Sequence, residues 1–233
     1  MKLITINGET ILPIVLYGSQ NEPEYKEYHS KVMESKFGLE MNYVECPFPN
    51  VSHGQMMNEA IRQTIDSSVK PDYYLWIDSD AIFMRRECLD LIYSFVSNKI
   101  TLFGHAWQSN HKKGPNGMIP HPYASQATLC FSRELYNKLN RPDCDHWSDG
   151  TDEFGGDTAE RITYEAEKRG YIISLIYPSH SVKYTTDLGN GCKFGQGNTY
   201  GDNLMYHVSR RDLPDSKELF VKKCQEVLDG KYE

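Results

Sequence analysis

Two short motifs place carboxylates at positions i and i+2: Asp78-Ser79-Asp80 and Asp143-Cys144-Asp145. Acidic residues are plentiful here, 32 against 25 Lys and Arg, so the bare pattern is weak and context must separate the two. Asp78-Ser79-Asp80 ends the apolar run Tyr73-Tyr74-Leu75-Trp76-Ile77, and residues two apart in a strand project to the same face. Both carboxylates then point into one site at the carboxyl end of a buried strand. Two such groups repel each other and lose hydration, and a hard cation with oxygen ligands relieves both penalties. Asp143-Cys144-Asp145 has no apolar run before it and sits in an irregular acidic stretch, 143–156. The six cysteines (46, 88, 130, 144, 192, 224) are too widely spaced for a zinc or redox motif. Five of them lie in or beside apolar segments, where a thiol behaves as a small hydrophobe, and a reducing, cytoplasmic home follows.

The elements that must position Asp78 and Asp80 are legible in the spacing of apolar residues. Lys2 to Ile6 and Thr10 to Tyr17 flank Asn7-Gly8, a hairpin turn signal. The second arm is apolar on both faces, as a buried parallel strand should be. A helix is predicted over 24–35, a strand over 41–46, a helix over 54–67 with Met57, Ala60, Ile61 and Ile65 on one stripe, the acidic strand over 73–77, a helix over 87–97 and a short strand over 100–103. This alternation predicts an α/β, Rossmann-like, doubly wound and mainly parallel sheet, with ligands beyond the carboxyl ends of its strands. Residues 104–126 read as loop, 127–131 as a strand, and Ser132 as a helix cap. Asp157-Thr-Ala-Glu160 reads as a capping box opening a helix that ends near Gly170. A strand over 171–177, a mobile glycine-rich loop over 187–201, a strand over 203–208 and a helix from Ser216, boxed by Asp215 and Glu218, complete the chain.

At 233 residues the chain suits one domain with an ordinary core, without disulfides or structural metal. The formal charge of -7 has the wrong sign for gripping a phosphate backbone, so no dedicated nucleic-acid surface is expected. Its longest apolar run, Ile11 to Tyr17, is far below the roughly 20 residues of a spanning helix, and the chain reads as soluble and unprocessed. Aromatic residues at 12% exclude a disordered chain.

The run Tyr-Tyr-Leu-Trp-Ile-Asp-Ser-Asp-Ala (73–81) resembles the Asp-x-Asp strand of GT-A-fold glycosyltransferases, closest to inverting, family-2-like members, which transfer a sugar from a nucleotide-sugar donor using Mn or Mg. Four more segments fall in the order that family would have, over residues 11 to 211. Strand 11–17 with Gly18-Ser19 resembles the first nucleotide-contacting strand and loop, which implies donor contacts at Tyr17, Gly18 and Ser19. The segment from His53 to Ala60 resembles the helix that approaches base and ribose, implying roles for His53 and Asn58. Gly155-Gly156-Asp157 resembles the acidic helix start that carries the catalytic base, and Tyr206-His207-Val208 the late His that completes the metal shell. The resemblance thus implies Asp78, Asp80 and His207 as metal ligands and Asp157 as base. Gly156 stands where inverting members often have a second acidic residue, and the first loop lacks their usual Tyr-Asn ending.

The implied chemistry agrees with these residue types. Glycosyl transfer develops charge on a nucleoside diphosphate, which a cation held by Asp78, Asp80 and His207 would neutralise, while the acceptor hydroxyl loses a proton to Asp157. Asp157 taken alone is also an ordinary helix cap, and Asp152 and Glu153 are its substitutes. His207 alone is also an ordinary hydrogen-bonded residue. Lys193 in the glycine-rich segment and Arg210, with Arg211 beside it, could bring cations to the leaving phosphates as part of a lid, or be plain surface charges. His105, Trp107, Tyr123 and Trp147 are rings on which an acceptor could stack. The expected organisation is one domain over 1–233: a nucleotide-binding half (1–103), an acceptor and catalytic half (104–211) and a C-terminal helix (212–233). The expected function is transfer of a sugar from a UDP- or GDP-sugar to an acceptor hydroxyl, with inversion. The alternatives are a nucleotidyltransferase, which would want a Gly- and Arg-rich phosphate loop where Gly18 to Pro23 stands, and a non-catalytic nucleotide-sugar or glycan-binding module of the same fold.

Overall fold

The computed structural model describes residues 1–18, 23–47, 51–68, 70–109, 122–146, 156–187, 193–209 and 211–233. In chain order the elements are β1 (Ile4–Ile6), β2 (Glu9–Gly18), α1 (Pro23–Phe37), β3 (Asn42–Cys46), α2 (His53–Ile65), β4 (Tyr73–Asp78), β5 (Ala81–Phe83), α3 (Glu87–Val96), β6 (Thr101–Gln108), β7 (Pro122–Ser132), α4 (Arg133–Lys138), α5 (Glu160–Lys168), β8 (Ile172–Ile176), β9 (Pro178–Asp187), β10 (Lys193–Tyr200), β11 (Met205–Val208) and α6 (Ser216–Leu228). The opening hairpin forms as expected, and Asn7 and Gly8 at its tip take φ of 51° and 84°, both left-handed as a two-residue turn requires.

The central sheet runs β1-β2-β4-β7-β6-β8, with β3 beside β2. Its pairings β2–β3, β2–β4 and β6–β8 are parallel, whereas β4–β7 and β6–β7 are antiparallel, so the sheet is mixed. β4 lies between β2 and β7 and is buried along its whole length. Alternate residues of β2 and β4 feed two cores. Leu12, Ile14, Leu16, Tyr74 and Trp76 meet Met57, Ala60, Ile61 and Ile65 of α2, and Ile11, Val15, Tyr73, Leu75 and Ile77 meet Cys88, Ile92 and Val96 of α3. Burial on both faces is why these strands are apolar throughout. Strands from residues 1–103 and from 104–211 share this sheet, as a single domain requires.

A smaller antiparallel sheet, β5-β11-β10-β9, packs on α1 and α6 through Ile82, Tyr206, Val208, Tyr25, Phe220 and Cys224. Three local expectations change with it. Residues 193–200 of the expected mobile loop form β10, because two of its glycines serve close packing: a Cβ at Gly195 would stand 2.3 Å from the Val182 carbonyl oxygen, and one at Gly197 would stand 2.2 Å from the Tyr206 hydroxyl. Residues 188–192 lie outside the described residues. β6 extends to Gln108 and β7 begins at Pro122, so the ends of the expected 104–126 loop are paired strands; a register shift after Gly104 breaks the apolar alternation there. α5 starts at Glu160 instead of Asp157, with Ala159 at φ 62° as its N-terminal neighbour. Asp215, at φ 68° before α6, makes no side-chain cap and pairs with Lys183 at 2.6 Å instead.

Candidate active site at the junction of the two sheets

β4 ends at Asp78, and after Ser79-Asp80 the chain crosses to the smaller sheet as β5. Two backbone bonds hold this crossing: the Ser79 N–H donates to the Leu16 carbonyl (3.2 Å), and the Val208 N–H donates to the Asp80 carbonyl (3.0 Å). β5 pairs with β11 so that Ala81 stands opposite His207, which carries the imidazole to the carboxylates across a long sequence separation. One ligand atom from each of Asp78, Asp80 and His207 lies within 4.8 Å of the other two, and all three residues are buried. His207 Nε2 is 3.7 Å from Asp80 Oδ1. Burial pushes the His207 pKa down, with Arg211 adding to the shift and Asp80 opposing it, so the imidazole is neutral with a lone pair to offer. Asp80 Oδ1 and His207 Nδ1 are buried without hydrogen-bond partners among the described residues. Two carboxylates and one imidazole with orphaned polar atoms suit Mn or Mg, whose remaining positions water can fill.

These residues floor a cleft of about 140 Å³ that is also lined by Asp157, His53, Trp107, Tyr123 and Arg211. Asp157 precedes α5 yet does not cap it. Its amide donates to Glu160 Oε2 (2.7 Å), one half of the expected box, but its own carboxylate accepts from the Thr158 amide (2.7 Å) and from the Tyr123 hydroxyl (3.1 Å). Held by these two donors, Asp157 lines the cleft. Burial and the neighbouring Asp157 charge hold Tyr123 protonated, as a donor must be. His146 Nε2 approaches Asp157 Oδ1 at 3.5 Å from the solvent side. His53, the first residue of α2, also lines the cleft, and burial followed by the Arg211 charge lowers its pKa.

The placement of His53 and His146 depends on the second acidic motif, which proves to be architectural. Asp145 Oδ1 accepts from Ser52 Oγ (2.5 Å), the residue that caps α2 in a complete box with Gln55. Asn58 donates to Asp143 Oδ1 (2.5 Å) and accepts from the Cys144 amide (2.9 Å), and the Cys144 carbonyl accepts from Ala159 N–H (2.8 Å). Residues 143–146 thus tie the start of α2 to the start of α5.

The structure brings together Asp78, Asp80, His207, Asp157 and His53, with Trp107 and Tyr123 beside them. Asn58 instead holds the 143–144 backbone, and Tyr17 and Gly18 line another cavity, about 600 Å³, between the ends of β2 and β3 and α1. His105 is buried and stacked on Tyr200 at 3.8 Å, one layer behind His207. Lys193 is the first residue of β10. Ser19, Arg210, Trp147, Asp152 and Glu153 lie outside the described residues. Arg211, named in sequence beside Arg210 as a cation for the phosphates, lines this cleft. Ser125, Gln126 and Ser209 also line it and were not singled out by sequence, although His207, Ser209 and Arg211 recur every second residue, and that alternation continuing past the strand was the available signal for Ser209.

No protein-family model and no curated protein sequence matches the chain. Among solved structures, a mutant of Drosophila β-1,4-galactosyltransferase 7, in complex with manganese, UDP-Gal and xylobiose, aligns at a TM-score of 0.50 and 11% identity, over 90% of this chain and 79% of its own. The catalytic domain of the Drosophila enzyme with xylobiose aligns at 0.46 and 10% identity, over 91% and 80%. A glycosyltransferase involved in glycosylation of the major capsid of PBCV-1 aligns at 0.39 and 16% identity, over 71% and 81%. The chain has the GT-A glycosyltransferase fold, as its Asp-x-Asp strand led one to expect.

Proposed function

We propose that this protein is a metal-dependent glycosyltransferase that moves a sugar from a nucleotide-sugar donor, a UDP- or GDP-sugar, to an acceptor hydroxyl with inversion. The observation that carries the reading is one cleft with the buried Asp78, Asp80 and His207 group on its floor and the Asp157 carboxylate on its wall. Asp78, Asp80 and His207 would hold Mn or Mg, which when bound supplies positive charge for the departing diphosphate. Asp157 accepts the proton of the acceptor hydroxyl, and Tyr123 and Thr158 keep its carboxylate oriented for that transfer. Trp107, partly exposed at the cleft, offers ring surface to the acceptor, whereas Tyr123 is buried and serves through its hydroxyl bond to Asp157. Support also comes from the fold shared with an enzyme whose complex holds manganese, UDP-Gal and xylobiose.

In this reading 1–103 serves the nucleotide, with Tyr17, Gly18, Ser19, His53 and Asn58 toward the donor, 104–211 serves the acceptor, and Lys193 and Arg210 serve the phosphates. The described cysteines 46, 88, 130, 144 and 224 are free and buried, which suits a reducing, cytoplasmic setting.

The test is a thermal-shift panel of UDP- and GDP-sugars with and without Mn. A cognate donor at 100 times its Kd stabilises a protein by about 2.7 kcal/mol. Wild type is expected to shift with Mn and one donor class. Asp80→Asn is expected to keep its circular dichroism spectrum and lose the Mn-dependent part of the shift. Metal-dependent donor binding retained by Asp80→Asn would overturn the metal assignment. Release of free nucleoside diphosphate on adding Mn separates the enzyme from a binding module of the same fold.

A further inference from the structure

Arg211 Nε lies 3.0 Å from Asp80 Oδ2, with the carboxylate buried and the guanidinium about one-third exposed at the cleft mouth. Asp80 therefore faces two ways: Oδ1 toward His207 and the metal-ligand group, Oδ2 toward a permanent cation. Asp78 and Asp80 bring two carboxylates to the cleft floor, with Asp157 a third on its wall, and Arg211 offsets the one it pairs with, Asp80. A divalent ion entering beside Asp78, Asp80 and His207 meets that guanidinium as a like charge across a poorly hydrated site, where repulsion is far stronger than in water. The Arg211 charge acts, after burial, to push down the pKa of His207 on the floor and of His53 beside it.

Described residues near Arg211 are tied to the smaller sheet. Ser209 is bonded to Gly195 and Asn198, and Gln196 Nε2 donates to the Pro214 carbonyl and to Ser216 Oγ, both at 2.6 Å. A guanidinium at a cleft mouth is also well formed to grip a diphosphate with two parallel hydrogen bonds.

We propose that Arg211 is a built-in counter-cation for the Asp78 and Asp80 pair, one that weakens metal binding when the cleft holds no nucleotide and turns to the diphosphate when it does. Metal and nucleoside diphosphate then each bind better in the other's presence. The inference rests on the donor and metal reading given under Proposed function, and adds the residue through which the two ligands are coupled.

The test titrates Mn(II) into the full chain, with free ion followed by electron paramagnetic resonance, in the absence and presence of UDP or GDP. Arg211→Gln is expected to bind Mn alone about tenfold more tightly than wild type, and the nucleotide-induced gain in Mn affinity is expected to shrink by a similar factor, within the ordinary range of ligand couplings. Arg211→Lys keeps the charge and is expected to stay within about threefold of wild type. Arg211→Ala serves as a second neutral variant if the Gln variant does not fold. Mn affinity unchanged or weakened in the neutral variants, or an undiminished nucleotide gain, overturns the role of Arg211 while leaving the metal site standing. No Mn binding in either wild type or the neutral variants overturns the metal site and this inference together.

Discussion

Tyr123 and Thr158 both donate to the Asp157 carboxylate, so its rotamer is set by two elements, β7 and the turn into α5. In sequence the same residue fits a helix cap equally well, because Asp-Thr-Ala-Glu supplies both halves of a capping box. Only one half forms. Ala159 takes the left-handed conformation, α5 begins later, and the carboxylate is left to the cleft. Replacing Asp157 by Asn keeps the shape and removes the proton acceptor. Its turnover is expected to fall at least about 100-fold with donor affinity unchanged, since general bases contribute factors of about 10² to 10⁴. Initial rates alongside donor thermal shifts check this, and a collapse of donor affinity would move Asp157 to the donor side. Arg211, by contrast, carries no local signature beyond its alternation with His207, and its pairing with Asp80 depends on where β11 lies.

Between elements, the docking of 144–145 on α2 hangs on a close approach at Gly54 in the first turn of that helix. A Cβ there would stand 2.4 Å from both the Asp145 Cα and the Cys144 carbonyl oxygen, and neither is the tip of a flexible side chain that could swing away. Gly54→Ala is expected to destabilise the fold by about 1–3 kcal/mol, the usual cost of forced overpacking. A lower urea midpoint with unchanged m-value is the check. The same variant should weaken the Ser52 to Asp145 contact and with it the placement of His53 and His146. Glycines at 195 and 197 illustrate the same ambiguity from the other side: glycine density read from sequence suggests mobility, whereas here the missing Cβ lets β9, β10 and β11 pack closely.

For the whole molecule, buried histidines set the response to acid. His29 is fully buried between α1 and β3, its Nδ1 2.8 Å from the Tyr43 hydroxyl, and burial lowers its pKa from 6.5 to about 3. A folded-state pKa depressed below the unfolded value means that the unfolded chain takes up the proton first. Stability is then fully present above about pH 6.5 and is lost as pH falls toward 3, by up to about 1.4 kcal/mol per pH unit for one such group. His105, stacked on Tyr200 and pushed well down by burial, acts in the same direction. The urea midpoint is expected to drop between pH 7 and 5, and His29→Gln should flatten that drop relative to its own stability at pH 7. A parallel pH profile in the variant would remove His29 from the account. The formal charge of -7 also takes a local meaning, because part of it is concentrated where Arg211 already offsets it.

Local patterning determined the hairpin, the amphipathic α2 and α3, the buried acidic strand and the pair Asp78 and Asp80 at its end, since period-two and helical spacing are properties of short windows and survive without knowledge of their partners. The antiparallel insertion of β7 beside β4, the smaller sheet and the register of β5 on β11 lie beyond any such window. They are pairings between distant segments, chosen by which faces can be buried together. That register is what joins His207 and Arg211 to Asp80, and the docking of 143–146 on α2 and α5 is what turns Asp157 toward them.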